Sequence, residues 1–255
     1  MKFWSACGVA LLVAAVMPGT GTAALDKEAL RKALSGPDRE VTDYVRDDSR
    51  KPVKVLEFLG IDTGMSVLDV YAAGGYYTFI LSKAVGPEGR VFAQNTPRGL
   101  RFEEDRQEIS QGEALEMKIQ RGKLSNVTHL VQSMDDIGIA PASLDAVMVV
   151  QILHDYYNGN PGRALELLSK VKSLLKPGGV VGIIDHAGLP DADNRRFHRM
   201  QKIQALALAE QAGFVVAGDS DLLHNPNDSK RRSIFDPMLN RNTDRFLLKL
   251  QKPLE

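Results

Sequence analysis

The chain of 255 residues contains one cysteine, Cys7, and one tryptophan, Trp4. A lone cysteine excludes an intrachain disulfide. Its five histidines show neither Cys-x-x-Cys nor His-Glu-x-x-His spacing, so no metal ligand is expected. Charge of one sign is lacking too: 32 basic residues meet 32 acidic ones, leaving no positive field of the kind nucleic acid attracts. There is no P-loop and no Gly-x-Ser-x-Gly nucleophile turn. The apolar run from Ala6 to Val16 falls short of the roughly 20 residues that span a bilayer, so stable membrane insertion is not expected.

That short run has telling neighbours. Lys2 precedes it, the small residues GTGTAA follow, and charge returns at Asp26. This is the order of a secretory leader, so residues 1–24 are expected to be a signal peptide and the rest an exported, periplasmic protein. Cleavage after Ala24 removes Lys2, Trp4 and Cys7 together. It leaves a cysteine-free chain of net charge −1, suited to an oxidising compartment.

Residues 25–60 are charged and helical in pattern, an N-terminal cap. Within them Pro52 suits a first helical turn, and Val55, Leu56, Phe58 and Leu59 supply an apolar face that ends near Gly60. Residues 61–255 alternate strands with helices. The strand-like runs SVLDVY, RVFAQN, VTHLVQS, LDAVMVVQI and GVVGIID are parted by helical stretches such as YTFILSKAV and GRALELLSKVKSLLKPGG, the second stopping at Gly178. Apolar strands separated by helices point to a parallel sheet covered on both faces. The last two strands, VVAGDSDLL and DRFLLKLQ, have no helix between them, which predicts an antiparallel pair at one edge. The expectation is one α/β domain, doubly wound, with a mostly parallel sheet of seven strands.

In VLDVYAAGGYYTFIL, residues 67–81, the first strand ends in an acid, a glycine-bearing turn and a helix start. Ligands of open α/β sheets sit beyond the carboxyl ends of the strands, where strand order reverses. A dinucleotide fold keeps its first turn free of acids, whereas Asp69 repels phosphate and suits a cationic ligand.

DVYAAGG, from Asp69 to Gly75, resembles the acid-x-Gly-x-Gly-x-Gly motif of the class I S-adenosylmethionine-dependent methyltransferases. GRVFAQN, QSMDDIGIAPASLDAVMVVQILHD and LLKPGGVVGIIDH resemble the later segments of that Rossmann-like fold, in order and spacing. A closer likeness, to a group of exported and poorly characterised bacterial methyltransferase-like proteins, lies in RDDSRKP, GGYYT, IDHAG, FHRM and NTDRFLLKLQKP. The resemblance implies S-adenosylmethionine as cofactor, held by Asp69, Gly74, Gly75 and Tyr76. Asn95 would meet the ribose hydroxyls and Asp135 would lie in the adenine-side loop. Tyr71 and Ala73 stand where the family's first two glycines are, and a positive φ at Ala73 would cost roughly 1–2 kcal/mol.

Three residues are candidates for catalysis. His154 and Asp155 follow the fourth strand, where they either face the methyl acceptor or simply begin a helix. His186 follows the fifth strand and is either a general base or a strand-end histidine. Tyr76 is either core of the first helix or an aromatic face beside the sulfonium. In FHRM, His198 and Arg199 read as helix surface, Lys230 to Arg232 as a solvated loop or an anion site, and Asp244-Arg245 as a local ion pair. The function expected is methyl transfer to a small-molecule or exposed acceptor. The second reading is an exported, non-catalytic module that binds a small ligand on the same fold.

Overall fold

The computed structural model describes residues 22–104 and 108–255, so most of the expected leader lies outside the described residues. Four helices lead: α1 (Lys27–Leu34), α2 (Val41–Tyr44), α3 (Asp47–Arg50) and α4 (Pro52–Leu59). The alternation follows as β1 (Ser66–Val70), α5 (Tyr76–Val85), β2 (Arg90–Asn95), α6 (Gln111–Arg121), β3 (Val127–Val131), β4 (Leu144–Val150), α7 (Leu153–Gly159), α8 (Pro161–Leu174) and β5 (Leu175–His186). α9 (Asn194–Phe197), α10 (Lys202–Gln211), β6 (Val215–Ser220) and β7 (Arg245–Gln251) complete the chain. Among the described residues no helix is long and apolar enough to cross a membrane.

The seven strands form one sheet in the order β3-β2-β1-β4-β5-β7-β6. β1 to β5 pair in parallel, while β7 is antiparallel to both β5 and β6. The predicted antiparallel edge is therefore present, with β7 inside and β6 as the last strand. Side chains alternate across the pleat. Val147 and Val149 of β4 join one buried cluster with Leu168 and Val171 of α8 and Leu208 of α10. Ala146 and Met148 join a second cluster with Leu30 of α1, Leu56 and Leu59 of α4 and Phe79 and Ile80 of α5. Each fully buried aliphatic or aromatic side chain contributes about 1.5–3 kcal/mol. Both faces being covered explains why β4 reads as a continuous apolar run.

The α4 expectation agrees in detail: Pro52 opens the helix and Gly60 closes it at φ 74°. α4 approaches the sheet closely where β5 has Gly182, since a Cβ there would lie 2.4 Å from a Leu59 methyl. One expectation is corrected. The helix expected to run to Gly178 stops at Leu174, because Leu175 is extended and pairs with Leu144 of β4. Gly178, at φ 77°, instead serves a bend where the β4–β5 register shifts.

Candidate functional site

Strand order reverses between β1 and β4, and a cavity of about 600 Å³ opens there at the carboxyl ends of β1, β4 and β5. Its wall includes Asp69, Gly74, Gln151, His154, Asp155 and His186. On β1 the alternation that sends Leu68 and Val70 to the α8 face sends Val67 and Asp69 to the α5 face. There the Thr78 hydroxyl of α5 donates to the Asp69 carboxylate at 2.8 Å. Burial pushes the Asp69 carboxyl up to about 7, against the opposing pull of Thr78 and the Arg50 guanidinium.

The turn after β1 is strained and strapped down. Tyr71 has φ 52° and Ala73 φ 49°, the left-handed region that costs a residue with a Cβ roughly 1–2 kcal/mol. The end of β2 holds both. The Gln94 Oε1 accepts from the Tyr71 N–H at 3.0 Å, and the Gln94 carbonyl accepts from the Ala72 N–H at 2.8 Å. Asn95 Oδ1 accepts from the Ala73 N–H at 2.9 Å, while its amide nitrogen donates to the Ala73 carbonyl at 3.3 Å. Asn95 is fully buried and does not line the cavity. The ribose role expected of it is therefore replaced by a structural one: both ends of its amide hold the turn.

Gly74 does line the cavity, and a Cβ there would lie 2.1 Å from the Glu104 carboxylate. Gly75, at φ 84°, starts α5, and a Cβ on it would meet Leu115 of α6 at 2.7 Å. Packing of α6, rather than a ligand, thus takes the space in front of Gly75. Asp135 is exposed and away from the cavity; its main-chain oxygen accepts from Lys170 at 3.2 Å. The structure does not bring Gly75, Asn95 or Asp135 to the cavity wall.

Tyr76 is at the wall, but its ring face is taken: the Arg50 guanidinium stands 4.3 Å from its centroid and its hydroxyl donates to Asp47 at 2.6 Å. Arg50 comes from the RDDSRKP stretch. Protein encloses it while it keeps surface toward the cavity, and it donates to Gln151 Oε1 at 3.3 Å. Burial and neighbouring Arg46 lower its pKa from the usual arginine value.

At the far wall Asp185, fully buried at the end of β5, organises the histidines. It accepts from the His154 N–H at 2.9 Å, the His186 N–H at 2.7 Å and the His154 Nδ1 at 2.7 Å. Burial opposes a charge on His154, but Asp185 and Asp155 override it and raise its pKa to about 10. His186 lies 5.5 Å away, ring to ring, with its Nδ1 2.7 Å from the Thr243 hydroxyl. Burial, the charge of His154 and nearby Arg245 hold His186 well below its ordinary value. The two carboxylates favour the charged form of His154 and burial the neutral form of His186, which makes His186 the better placed of the two to accept a proton.

Two readings of the FHRM stretch are corrected. His198 leaves the short helix α9 at φ 54° and lines the cavity, 3.1 Å from Asp155. Arg199 is fully buried and forms a two-pronged ion pair with Asp228, at 2.8 and 3.2 Å. Lys230, Arg231 and Arg232 each pair with an acid, and Asp244 pairs with Lys230 and His224 rather than with Arg245. Five of the ten non-glycine residues with positive φ among those described, Tyr71, Ala73, Gln151, His198 and Arg241, border this cavity. Strain gathered in one place makes this cavity the candidate functional site.

Solved structures with the same arrangement decide what this fold is. A methyltransferase of Aquifex aeolicus that depends on S-adenosylmethionine superposes with a TM-score of 0.60 at 21% identity, covering 89% of this chain and 98% of that one. The fold is that of the class I methyltransferases. The [4+2]-cyclase SpnF superposes equally well, with a TM-score of 0.60 at 16% identity over 87% of this chain and 86% of its own. Residues 50–125 match the family model described as protein-L-isoaspartate(D-aspartate) O-methyltransferase. A demethylmenaquinone methyltransferase of Lactococcus lactis is 31% identical over 139 residues, 54% of this chain and 49% of the relative. The chain thus spans about half the length of that curated relative.

Proposed function

We propose that the protein transfers a methyl group from S-adenosylmethionine to a small or exposed acceptor seated between Arg50 and His186. The observation that carries this is Asp69: a buried acid beside the cavity at the switch point, pushed up to about 7 by burial against the opposing pull of Thr78 and Arg50. A cationic ligand fits it, with the Ala72–Gly74 backbone as the surface beside it. S-adenosylmethionine, when bound, supplies a methyl already activated on a positively charged sulfur. The residues of the chain then have two tasks. They align the acceptor, which can contribute about 7–11 kcal/mol by positioning, and they remove its proton. His186, buried and on the wall, takes that proton, while Asp185 and Asp155 hold the His154 ring in place beside it.

Titration calorimetry with S-adenosylmethionine and its demethylated product tests the reading. Binding with a Kd of about 1 µM to 1 mM is expected, and Asp69→Ala should weaken it roughly ten- to a hundred-fold. A parent protein that binds neither compound sinks the methyltransferase reading. The second reading, a non-catalytic module for another small ligand, draws on Glu104, whose carboxylate covers Gly74 where a cofactor would approach. The pattern of residues 1–24 supports export to the periplasm within either reading. Mass spectrometry of the native protein should find an N-terminus near Leu25, and an intact Met1 in the cytoplasm overturns export.

A further inference from the structure

We infer that His154, Asp155 and His198 form a binding site for a divalent transition metal of the zinc class, set in the wall of the cavity beside His186. Neither His-Glu-x-x-His nor any other spaced motif points to it, because its third member arrives from another element. His154 and Asp155 are neighbours at the start of α7, while His198 stands just past α9. One nitrogen from each histidine and one oxygen of Asp155 lie within 4.8 Å of one another.

The distances suit a metal. Asp155 Oδ1 is 3.3 Å from His154 Nε2 and 3.1 Å from His198 Nδ1. Ligand atoms bound tetrahedrally at about 2.0–2.1 Å from zinc stand about 3.3 Å apart. Two edges of such a set are therefore already at coordination spacing.

Three independent features separate this group from an ordinary surface ion pair. First, His154 is 1% exposed and its Nε2 has no hydrogen-bond partner, although the nitrogen is buried and close to Asp155. A buried ring nitrogen left without a hydrogen-bond partner calls for a ligand. Secondly, the other ring nitrogen is fastened to Asp185 at 2.7 Å, the carboxylate–histidine arrangement that orients metal-binding imidazoles and raises their basicity. Asp185 is itself fixed by the His154 and His186 backbone N–H groups, so the imidazole has no freedom to turn away. Thirdly, His198 is held in the left-handed region at φ 54°, with its ring edge-on to Phe235 at 5.0 Å, a strained posture that directs it at Asp155.

Two imidazoles and one carboxylate select zinc, iron(II) or cobalt(II) over magnesium, which prefers an all-oxygen shell. Asp155 and His198 keep solvent-facing surface, which leaves the remaining coordination positions toward the cavity. A cation there would draw an acceptor's hydroxyl or thiol oxygen or sulfur to itself and lower its pKa. That last role rests on the methyl-transfer reading; the metal site does not.

Calorimetric titration of the chelator-treated, full-length protein with zinc chloride alone tests the site, with no cofactor present. One zinc per chain is expected, with cobalt(II) giving visible absorption bands and magnesium chloride giving no heat. Asp155→Asn and His198→Ala, both partly exposed and so compatible with folding, should each weaken zinc binding at least about tenfold. His224→Ala, a histidine paired with Asp244 outside the cavity, should leave it unchanged. No zinc binding by the parent, or equal binding by parent, Asp155→Asn and His198→Ala, overturns the proposal. Because the cofactor titration is run without zinc and this one without cofactor, each can fail alone.

Discussion

Asp69 makes the chemistry of the site readable through pH. Its carboxyl is pushed from 3.8 up to about 7 by burial, so in the ligand-free protein its contribution to stability is complete below about pH 4 and is lost as pH rises through about 7. A bound cation favours the ionised form and reverses this. The affinity for S-adenosylmethionine should therefore rise about tenfold from pH 6 to pH 8, and Asp69→Asn should flatten the profile, as calorimetry at several pH values would read. A flat profile in the parent removes Asp69 from the cofactor. His186 makes a different prediction. Its buried, neutral ring stands apart from Asp69, so His186→Ala should lower kcat by about a hundredfold or more with cofactor affinity nearly kept. Unchanged turnover would leave the histidine as a strand-end group bonded to Thr243.

Between residues and fold stands the β1–α5 turn, a strained element held by its neighbour strand. Asn95 spends both ends of its amide on Ala73, so Asn95→Ala should cost about 1–3 kcal/mol by leaving those backbone groups unpaired. Ala73→Gly relieves about 1–2 kcal/mol of left-handed strain and adds about 0.4–1 kcal/mol of unfolded-state entropy. A net gain near 0.5–1 kcal/mol should appear as a higher urea midpoint with unchanged slope. A loss on Ala73→Gly would show that the turn is not strained in this way. Where the resembled motif has a glycine, this chain has an alanine plus a clamp. From sequence the clamp was invisible: Asn95 stood where a ribose-binding residue is expected, and nothing local says that its amide turns inward.

At the scale of the molecule, the cavity is closed by the segment between β5 and β7, and a buried ion pair anchors that segment. Arg199 donates to Asp228 and also to the carbonyls of Ala187 and Arg232, so it joins the loop after β5 to the loop before β7. Asp228 in turn accepts from the Asp244 N–H at 2.7 Å. Removing one partner of such a pair costs about 3–5 kcal/mol, and Asp228→Ala should lower the thermal midpoint by about 10 °C or more. A shift within one or two degrees would mean the pair contributes little. The same anchor sets His198 against Asp155, so this variant should also disturb the cavity wall.

The order of strands and helices, the position of the switch-point turn and the two-sided core were legible in the sequence. Each is written in local signals: apolar runs in β1, β4 and β5, helical spacing in α8, Pro52 and Gly60 at the ends of α4, and the acid-plus-glycine pattern from Asp69 to Gly75. Even there, the end of α8 is not written locally, because Leu175 extends only to pair with Leu144, a partner 31 residues away. Only the tertiary structure decided which polar groups meet. Arg50 reaches Gln151 across 101 residues, His198 reaches Asp155 across 43, and Arg199 is drawn from an expected helix surface into the core by Asp228. Periodicity records which face of an element is apolar; it carries no information about which distant charge satisfies a buried one, since that depends on the register and crossing of elements that come together only when the sheet is assembled.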